Sequence, residues 1–189
     1  MNVDDILRSI EKEAPQRGLP IIGPKRGPLL DEVVRKFAPS RVLEVGTLVG
    51  YSALRMARLL KDDGMITCVE MSGELAAVAR ANIKRAGFED RVEIIVGDAK
   101  EVLPKLEGSF DMIFLDAAKS EYVTYLRSCE RLLHPGSVVV ADNVKSFAGE
   151  LASYLDYVRN SGKYNSSYRE APPNYESMQS DAVEISVRL

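Results

Sequence analysis

RVLEVGTLVGYS, residues 41–52, combines a short apolar strand, a glycine turn and the start of a helix. Gly46 and Gly50 carry no Cβ, so the backbone of this turn can approach a bound ligand closely. The spacing Glu44-x-Gly46-x-x-x-Gly50 departs from the G-x-G-x-x-G of a dinucleotide turn, because Leu48 stands at the middle glycine position. The stretch therefore predicts a nucleotide cradle that favours S-adenosylmethionine over NAD, with Glu44 facing the ammonium group of the ligand.

A second acidic residue supports this prediction. Residues 65–69 form an apolar segment typical of a strand, and Glu70 ends it. An α/β nucleotide fold places an acid at this point, where it accepts hydrogen bonds from the ribose hydroxyls. Because glycine turns are also common at plain strand–helix corners, the combination of Gly46 and Glu70 carries the prediction.

Length and composition limit the function classes. The 189 residues are 46% hydrophobic and 28% charged, which is typical of one globular domain spanning residues 1–189. The 25 basic and 28 acidic residues form no long run of either sign, which argues against a nucleic-acid or membrane partner. Cys68 and Cys129 lie in apolar segments and are interpreted as packing residues. We expect a cytoplasmic protein that acts on a small soluble molecule.

The order of apolar segments predicts the fold. Five segments are predicted strands, at residues 42–45, 65–70, 92–96, 110–115 and 137–141. Amphipathic helices separate them, which predicts a parallel sheet covered by helices on both faces. Two further strands, 163–170 and 182–189, follow each other without a crossover helix and should pair antiparallel. The sequence therefore predicts a Rossmann-like α/β fold with a seven-stranded mixed sheet whose last strand is antiparallel.

Prolines govern two local predictions. Residues 16–28 contain several prolines and read as a loop, either a lid over the site or an ordinary connector, with Pro28 beginning the next helix. The only histidine, His134, is predicted to end the helix 121–133, because Pro135 and Gly136 follow it. This position argues against catalysis by a Ser-His or Cys-His pair.

Oxygen-bearing side chains follow two neighbouring strands. Asp116 ends the fourth predicted strand, and the pair Asp142 and Asn143 ends the fifth. Carboxylate and amide oxygens suit Mg²⁺ or Ca²⁺ and not zinc. Taken singly, each aspartate could equally be a cap or turn residue. Together they predict a divalent-cation site at the carboxyl edge of the sheet.

Two further polar residues each allow two interpretations. Lys119 lies near Asp116 and is either a general base, since a nearby divalent cation would disfavour its charged form, or an exposed lysine. Asp98 either contacts an adenine amino group or caps the helix that follows it, and the two roles are compatible.

Several motifs together resemble one enzyme family. RVLEVGTLVGYSALRMARLL, the VE at 69–70, VGDAKE, FLDAAKSEY and VVVADNV are similar to the cation-dependent O-methyltransferases, which include catechol and caffeoyl-CoA O-methyltransferases. The resemblance covers residue 20 to the carboxyl terminus. It implies a seven-stranded methyltransferase fold, S-adenosylmethionine as cofactor, and Mg²⁺ or another divalent cation such as Ca²⁺ or Mn²⁺. The implied acceptor is a small hydroxylated aromatic molecule with vicinal hydroxyls.

The resemblance also implies residue roles. It makes Lys119 and Asp116 catalytic and assigns the cation to Asp116, Asp142 and Asn143. The implied cofactor site consists of Ile22, Glu44, Gly46, Leu48, Tyr51, Ser52, Glu70, Met71, Asp98, Ala99 and Asp116. The implied acceptor site consists of Lys119, Asn143, Phe147 and Glu184.

The acceptor pocket departs from the family pattern. Tryptophans wall the catechol ring in catechol O-methyltransferase, whereas this chain has no Trp and carries Gly18 and Ala118 at the matching places. We therefore expect a wide pocket and do not assume catechol as the acceptor. A homodimer formed through the tyrosine-bearing terminal helices is also expected.

Two other functions are weighed against this one. An NAD-dependent oxidoreductase shares the fold and the acid after the second strand, but Leu48 argues against it. A non-catalytic S-adenosylmethionine-binding subunit would be expected to have lost Lys119 or the acidic residues, and this chain keeps them.

Overall fold

A seven-stranded mixed sheet forms the centre of the computed structural model, which describes residues 2–174 and 179–189. The strands are β1 (Arg41–Val45), β2 (Met65–Glu70), β3 (Val92–Val96), β4 (Phe110–Leu115), β5 (Leu133–Ala141), β6 (Tyr164–Ala171) and β7 (Asp181–Arg188). Their order across the sheet is β3-β2-β1-β4-β5-β7-β6. Strands β1 to β5 pair in parallel, and β7 runs antiparallel to both β5 and β6. The predicted fold is confirmed.

The register of the parallel strands brings their carboxyl ends level. Val45 at the end of β1 lies opposite Val69 in β2 and Leu115 in β4. Leu115 in turn lies opposite Ala141 in β5. The polar residues that follow these strands therefore gather at one edge of the sheet, which is where ligands bind in open α/β sheets.

Helices cover both faces of the sheet. They are α1 (Val3–Arg17), α2 (Gly23–Phe37), α3 (Tyr51–Ala57), α4 (Gly73–Arg85), α5 (Ala99–Val102), α6 (Tyr122–Cys129) and α7 (Ala152–Asn160). Helices α1 to α4 bury apolar residues such as Leu30 and Leu54 against one face. Helices α6 and α7 bury Leu126 and Val158 against the other. No helix in residues 2–174 or 179–189 has the length and apolar character that crossing a membrane requires.

The predicted loop at residues 16–28 is mostly helical. Helix α1 runs through Pro15 to Arg17, and α2 begins at Gly23, five residues before the predicted start at Pro28. Pro24 lies in the first turn of α2, where a helix needs no donor from its backbone nitrogen. The prolines thus mark the start of a helix, and only residues 18–22 connect α1 to α2.

The prediction that His134 ends a helix is wrong. Helix α6 ends at Cys129, a 3₁₀ turn covers Glu130–Leu132, and His134 lies near the start of β5. Its Nε2 atom lies 3.0 Å from Oδ1 of Asp111, at the end of the sheet opposite the carboxyl edge. Pairing with β4 extends β5 towards its amino end despite Pro135, because the register shifts at this point.

Tyrosines of the terminal helices do not form an exposed face. Tyr154 of α7 is buried and packs edge-on against Tyr122, with ring centroids 5.7 Å apart. The Tyr157 hydroxyl donates to Glu130 at 2.9 Å. The homodimer expected from the sequence therefore gains no support from these side chains.

Candidate active site

A cavity of about 640 Å³ opens at the carboxyl edge of the sheet. The predicted site residues on its wall are Ile22, Gly46, Leu48, Tyr51, Ser52, Glu70, Met71, Ala99, Asp116, Lys119, Asn143 and Phe147. Four other predicted site residues, Glu44, Asp98, Asp142 and Glu184, are not on the wall. We name the two ends of the cavity after their predicted roles: the cofactor end lies next to the turn after β1, and the acceptor end lies next to the residues that follow β4 and β5.

The first glycine of the turn after β1 is required by the protein itself, and not only by close approach of a ligand. Gly46 has φ +87°, and a Cβ there would lie 2.4 Å from the carbonyl oxygen of Asp116. The end of β4 therefore excludes a side chain at this position. Leu48 also takes a left-handed conformation, φ +52°, which L-residues other than Asn and Asp rarely adopt.

Glu70 lies on the cavity wall and is held by the backbone of two segments. Its Oε2 atom accepts a hydrogen bond from the Leu48 amide at 2.9 Å, and its Oε1 atom accepts one from the Ser72 amide at 2.9 Å. These bonds join the turn after β1 to the turn after β2. The carboxylate is therefore oriented before any ligand arrives, and each oxygen keeps a lone pair for a ribose hydroxyl.

Glu44 lies behind the cavity wall and not on it. Its side chain is fully buried and accepts hydrogen bonds from the Ser52 hydroxyl and, at 3.1 Å, from the Cys68 thiol. Burial raises the pKa of Glu44 to about 7, although the Ser52 and Cys68 hydrogen bonds oppose the shift. Ser52 lines the cavity and Glu44 does not, so the predicted contact between Glu44 and the ligand ammonium gains no support and stays a prediction. The hydrogen bond to Glu44 orients the Ser52 hydroxyl on the cavity wall.

Tyr51 lines the cavity, and its hydroxyl joins α3 to α1. The hydroxyl donates to Glu11 at 2.6 Å and accepts from Arg55 at 2.9 Å. Arg55 also binds Asp31 through two hydrogen bonds of 3.0 and 2.6 Å. This buried network attaches α1 and α2 to α3. It therefore fixes the position of Tyr51 on the wall of the cofactor end.

Asp98 is a helix cap in the structure. Its carboxylate accepts a hydrogen bond from the Lys100 amide at 2.9 Å at the start of α5. Gly97 and Ala99 on either side of it line the cavity. The capping role is confirmed, and the adenine contact stays a prediction.

Lys119 is held at the acceptor end and is not an exposed lysine. Its Nζ atom lies 2.7 Å from Oδ1 of Asp116 and 2.8 Å from the Tyr122 hydroxyl. The same atom lies over the rings of Tyr122 and Phe147, at 5.2 and 6.0 Å from their centroids. Asp116, Tyr122 and Phe147 therefore orient one ammonium group on the cavity wall.

Asp142 and Arg26 form a buried ion pair next to the acceptor end. The Arg26 guanidinium donates two hydrogen bonds to the Asp142 carboxylate, at 2.9 and 3.0 Å, and both side chains are almost fully buried. Burial and the negative charge of Asp116 raise the pKa of Asp142, whereas Arg26 lowers it. Arg26 reaches the cavity wall and Asp142 does not. The predicted cation ligand Asp142 thus contacts an arginine that the sequence reasoning missed.

Asn143 and Asp181 form a second polar pair at the acceptor end. The Asn143 side-chain amide donates to Oδ2 of Asp181 at 2.8 Å. Oδ1 of Asp181 accepts from the backbone amides of Lys145, Ser146 and Ala182 at 3.2, 3.0 and 2.8 Å. Burial acts to raise the pKa of Asp181, but these hydrogen bonds outweigh it and the pKa is lowered. Sequence reasoning missed Asp181, because nothing local shows that the first residue of β7 meets the turn after β5.

Glu184 does not reach the cavity wall, so its predicted contact with the acceptor gains no support and stays a prediction. The residue is buried in β7, where its carboxylate accepts two hydrogen bonds from Arg159 of α7, at 2.8 and 2.7 Å. Side chains alternate between the two faces along a strand. Glu184 shares its face with Ala182, and Arg159 of α7 holds its carboxylate there.

The carboxyl-terminal region clamps the segment that enters α2. Asn174 donates its side-chain amide to the Ile22 carbonyl at 2.8 Å and accepts from the Lys25 amide at 2.9 Å. A Cβ on Gly23 would lie 2.6 Å from Asn174. Asn174 therefore fixes the backbone of Ile22 against the cavity, and the sequence contained no signal for this contact.

The donor chemistry of the acceptor end fits a hard divalent cation. Asp116 and Asn143 present oxygen-bearing side chains on the wall. Mg²⁺ is commonly held by one or two carboxylates while it keeps several waters. Within residues 2–174 and 179–189, no group of three His, Cys, Asp or Glu side chains could hold a metal ion by itself. A cation here would therefore depend on the Asn143 amide and on ligands from solvent or substrate.

Comparison with known proteins identifies relatives along most of the chain. The sequence model described as O-methyltransferase matches residues 3–162. A catechol O-methyltransferase B of Danio rerio is 37% identical over 175 residues, 89% of this chain and 65% of that protein. A catechol O-methyltransferase of Niastella koreensis is 40% identical over 147 residues, 75% of this chain and 66% of that protein. The chain thus spans just under two thirds of the length of these relatives.

A solved structure shares the whole architecture. The crystal structure of an O-methyltransferase from Bacillus cereus in complex with SAH superimposes with a TM-score of 0.86. The two sequences are 25% identical, and the match covers 98% of this chain and 91% of that one.

Proposed function

The chain belongs to the O-methyltransferase family, and on this premise we propose that it transfers a methyl group from S-adenosylmethionine to a hydroxyl oxygen of a small aromatic acceptor with vicinal hydroxyls. One observation carries the proposal. A single cavity joins the glycine turn and Glu70 at one end to the Lys119–Asp116 pair at the other. A methyl donor and a hydroxylated acceptor can therefore meet in one enclosed space.

The cofactor end is proposed to bind S-adenosylmethionine, which supplies the methyl group when it is bound. The Glu70 carboxylate accepts hydrogen bonds from the ribose hydroxyls, since backbone amides already orient it. Ser52, held by Glu44, binds the amino-acid part next to the glycine turn. The backbone of Ile22, fixed by Asn174, closes this end from the side of α2.

Lys119 is proposed to accept the proton of the acceptor hydroxyl. Its Nζ atom is oriented by Asp116 and Tyr122 and lies on the cavity wall, which satisfies the geometric requirement for a general base. To act in this way Lys119 must be in its neutral amine form. The ring of Phe147 then packs against the aromatic ring of the acceptor.

A divalent cation is proposed to lie at the acceptor end, held by Asp116 and Asn143. Asp142 lies behind the cavity wall, where its carboxylate binds Arg26. When bound, such an ion polarises a coordinated hydroxyl and makes its proton easier to remove. Because only a few protein side chains would bind the cation, positions would stay open for the two vicinal hydroxyl oxygens of the acceptor. Asp116 would hold the cation with one oxygen while its Oδ1 atom accepts from Lys119, so one carboxylate would position both groups.

Calorimetry followed by an activity panel tests this function. Titration with S-adenosylhomocysteine measures cofactor binding first. Catechol, caffeate and a matched monohydroxyl compound are then assayed for methylation with Mg²⁺ and with chelator. Methylation of the vicinal diols only, lost in chelator, is the expected result. An unchanged rate in chelator would refute the cation part, and saturable binding of NAD in place of S-adenosylhomocysteine would refute the methyl-transfer part.

A further inference from the structure

We infer that Asp181 is a positioning residue that sets the orientation of the Asn143 amide and thereby controls divalent-cation binding at the acceptor end. The inference rests on the proposed function, because it assigns a role toward the proposed cation. Asp181 itself lines the cavity, is 3% exposed and lies in β7, far along the chain from Asn143. It is called a positioning residue because it acts through Asn143.

The hydrogen bonds of Asp181 leave one orientation for Asn143. Oδ2 of Asp181 can only accept, so the Asn143 side chain must turn its NH₂ group toward Asp181, at 2.8 Å. The carbonyl oxygen of the same amide then points away from Asp181. Since Asn143 lines the cavity, this arrangement offers an oxygen there and keeps the NH₂ group, which repels cations, away from the site.

The same carboxylate fixes the backbone that carries Asn143. Its Oδ1 atom accepts hydrogen bonds from the amides of Lys145, Ser146 and Ala182, so the turn after β5 is attached to the start of β7. Asn143 has φ +66° in this turn, a conformation that Asn tolerates better than most residues. Both the amide and its backbone are therefore set by one side chain.

The two oxygens of Asp181 act as acceptors for different groups, and its charge lies 3.9 Å from the Arg26 guanidinium, which together favour an aspartate here. An asparagine at position 181 could keep the three backbone hydrogen bonds through its Oδ1 atom. Its NH₂ group would then face the NH₂ group of Asn143, and two donors cannot pair. The Asn143 amide would have to turn over and present its NH₂ group to the cavity. Loss of a residue that orients a metal ligand by a hydrogen bond typically lowers metal affinity by roughly 10- to 100-fold.

The experiment measures Mn²⁺ binding to the full chain by electron paramagnetic resonance of the free ion, with Mg²⁺ as competitor. Asp181→Asn is expected to bind Mn²⁺ roughly 10- to 100-fold more weakly than the unmodified protein. Its affinity for S-adenosylhomocysteine should be unchanged, because the cofactor end does not involve Asp181. Unchanged Mn²⁺ affinity in a folded Asp181→Asn protein would overturn the inference.

Two further variants separate orientation from charge. In the double variant Asp181→Asn with Asn143→Asp, the NH₂ group at 181 donates to a carboxylate at 143, so the hydrogen bond returns with reversed polarity and Mn²⁺ binding should recover. This variant also keeps the test usable if Asp181→Asn alone fails to fold. Asp181→Glu retains the charge but moves the carboxylate, so it should bind Mn²⁺ weakly. Binding by Asp181→Glu as tight as in the unmodified protein would show that charge alone matters and would overturn the inference.

The outcomes distinguish this inference from the proposed function. If the unmodified protein binds Mn²⁺ but methylates no vicinal diol, the proposed function fails and the positioning role of Asp181 stands or falls on the variants. If the unmodified protein binds no Mn²⁺, the cation site and the inference fail together, and cofactor-dependent methylation can still be present.

Discussion

The two ends of the cavity are built in different ways. At the cofactor end, Glu44, Gly46 and Leu48 come from one short stretch, and Glu70 follows at the end of the next strand. At the acceptor end, Arg26 meets Asp142 across 116 residues and Asn143 meets Asp181 across 38. Apart from Ile22, which Asn174 holds from 152 residues away, the first end is encoded by short local segments. The second end adds these contacts between distant segments to the local pair of Asp116 and Lys119. The cofactor end should therefore tolerate changes at the acceptor end, and the following predictions test this separation.

The largest expected effect is on turnover, through Lys119. Lys119→Met should lower kcat by about 100- to 10,000-fold, since it removes the proposed general base. The affinity for S-adenosylhomocysteine, measured by calorimetry, should stay the same because the ammonium lies at the acceptor end. Lys100→Met is the matched control, since Lys100 forms its ion pair with Glu121 on the surface. Simultaneous loss of cofactor binding in Lys119→Met would show that the two ends are not separable.

The next effect is on stability, through the buried ion pair. Arg26→Met leaves the Asp142 carboxylate buried without its cation, which should lower the free energy of unfolding by about 3–5 kcal/mol in urea denaturation. The double variant Arg26→Met with Asp142→Leu should recover part of this loss, because it removes the buried Asp142 charge. Asp181, 3.9 Å from the Arg26 guanidinium, still loses its cation but keeps its hydrogen bonds to backbone amides. A double variant as unstable as the single one would mean that packing by the arginine side chain dominates.

A glycine pair probes the cofactor end. Gly46→Ala should lower the free energy of unfolding by more than the roughly 1–2 kcal/mol of a left-handed alanine, because its Cβ would also meet the Asp116 carbonyl oxygen. It should also weaken S-adenosylhomocysteine binding. Gly87→Ala is the matched control, because Gly87 has φ +75° and a Cβ there meets nothing within 4 Å. Its loss in free energy of unfolding should therefore come from the left-handed backbone conformation alone. Equal losses in the two variants would contradict the steric explanation.

The smallest effect concerns His134, which lies far from both ends of the cavity. Hydrogen bonding to the Pro135 carbonyl and to Asp111 raises the pKa of His134 above its usual value. Charged His134 therefore stabilises the fold below its unfolded pKa of about 6.5, and this contribution disappears as the pH rises through the folded pKa. Because the side chain is 48% exposed, the effect should be under about 1 kcal/mol. Thermal unfolding of His134→Asn at pH 5 and pH 9 should show a loss at pH 5 only.

Sequence patterns predicted the strands and most of the cofactor end because their signals are local. Apolar segments separated by helices define the order of β1 to β5, and Gly46 and Glu70 mark strand ends. The errors lie where a local signal had two meanings. Pro24 and Pro28 are compatible with either a loop or the first turns of a helix. The distant Asn174 binds the Ile22 carbonyl and the Lys25 amide and so supports the start of the helix. His134 follows a helix in sequence, but pairing of β5 with β4 places it in a strand.

By itself the sequence determined the parallel sheet, the nucleotide turn with its acid, and the polar residues at the strand ends, because periodicity and spacing along the chain specify them. Only the tertiary structure decided which polar groups meet. It placed Arg26 on Asp142, Asp181 on Asn143 and Arg159 on Glu184. The physical reason is that a buried charge must find a partner, and that partner depends on the strand order and register that bring distant segments together.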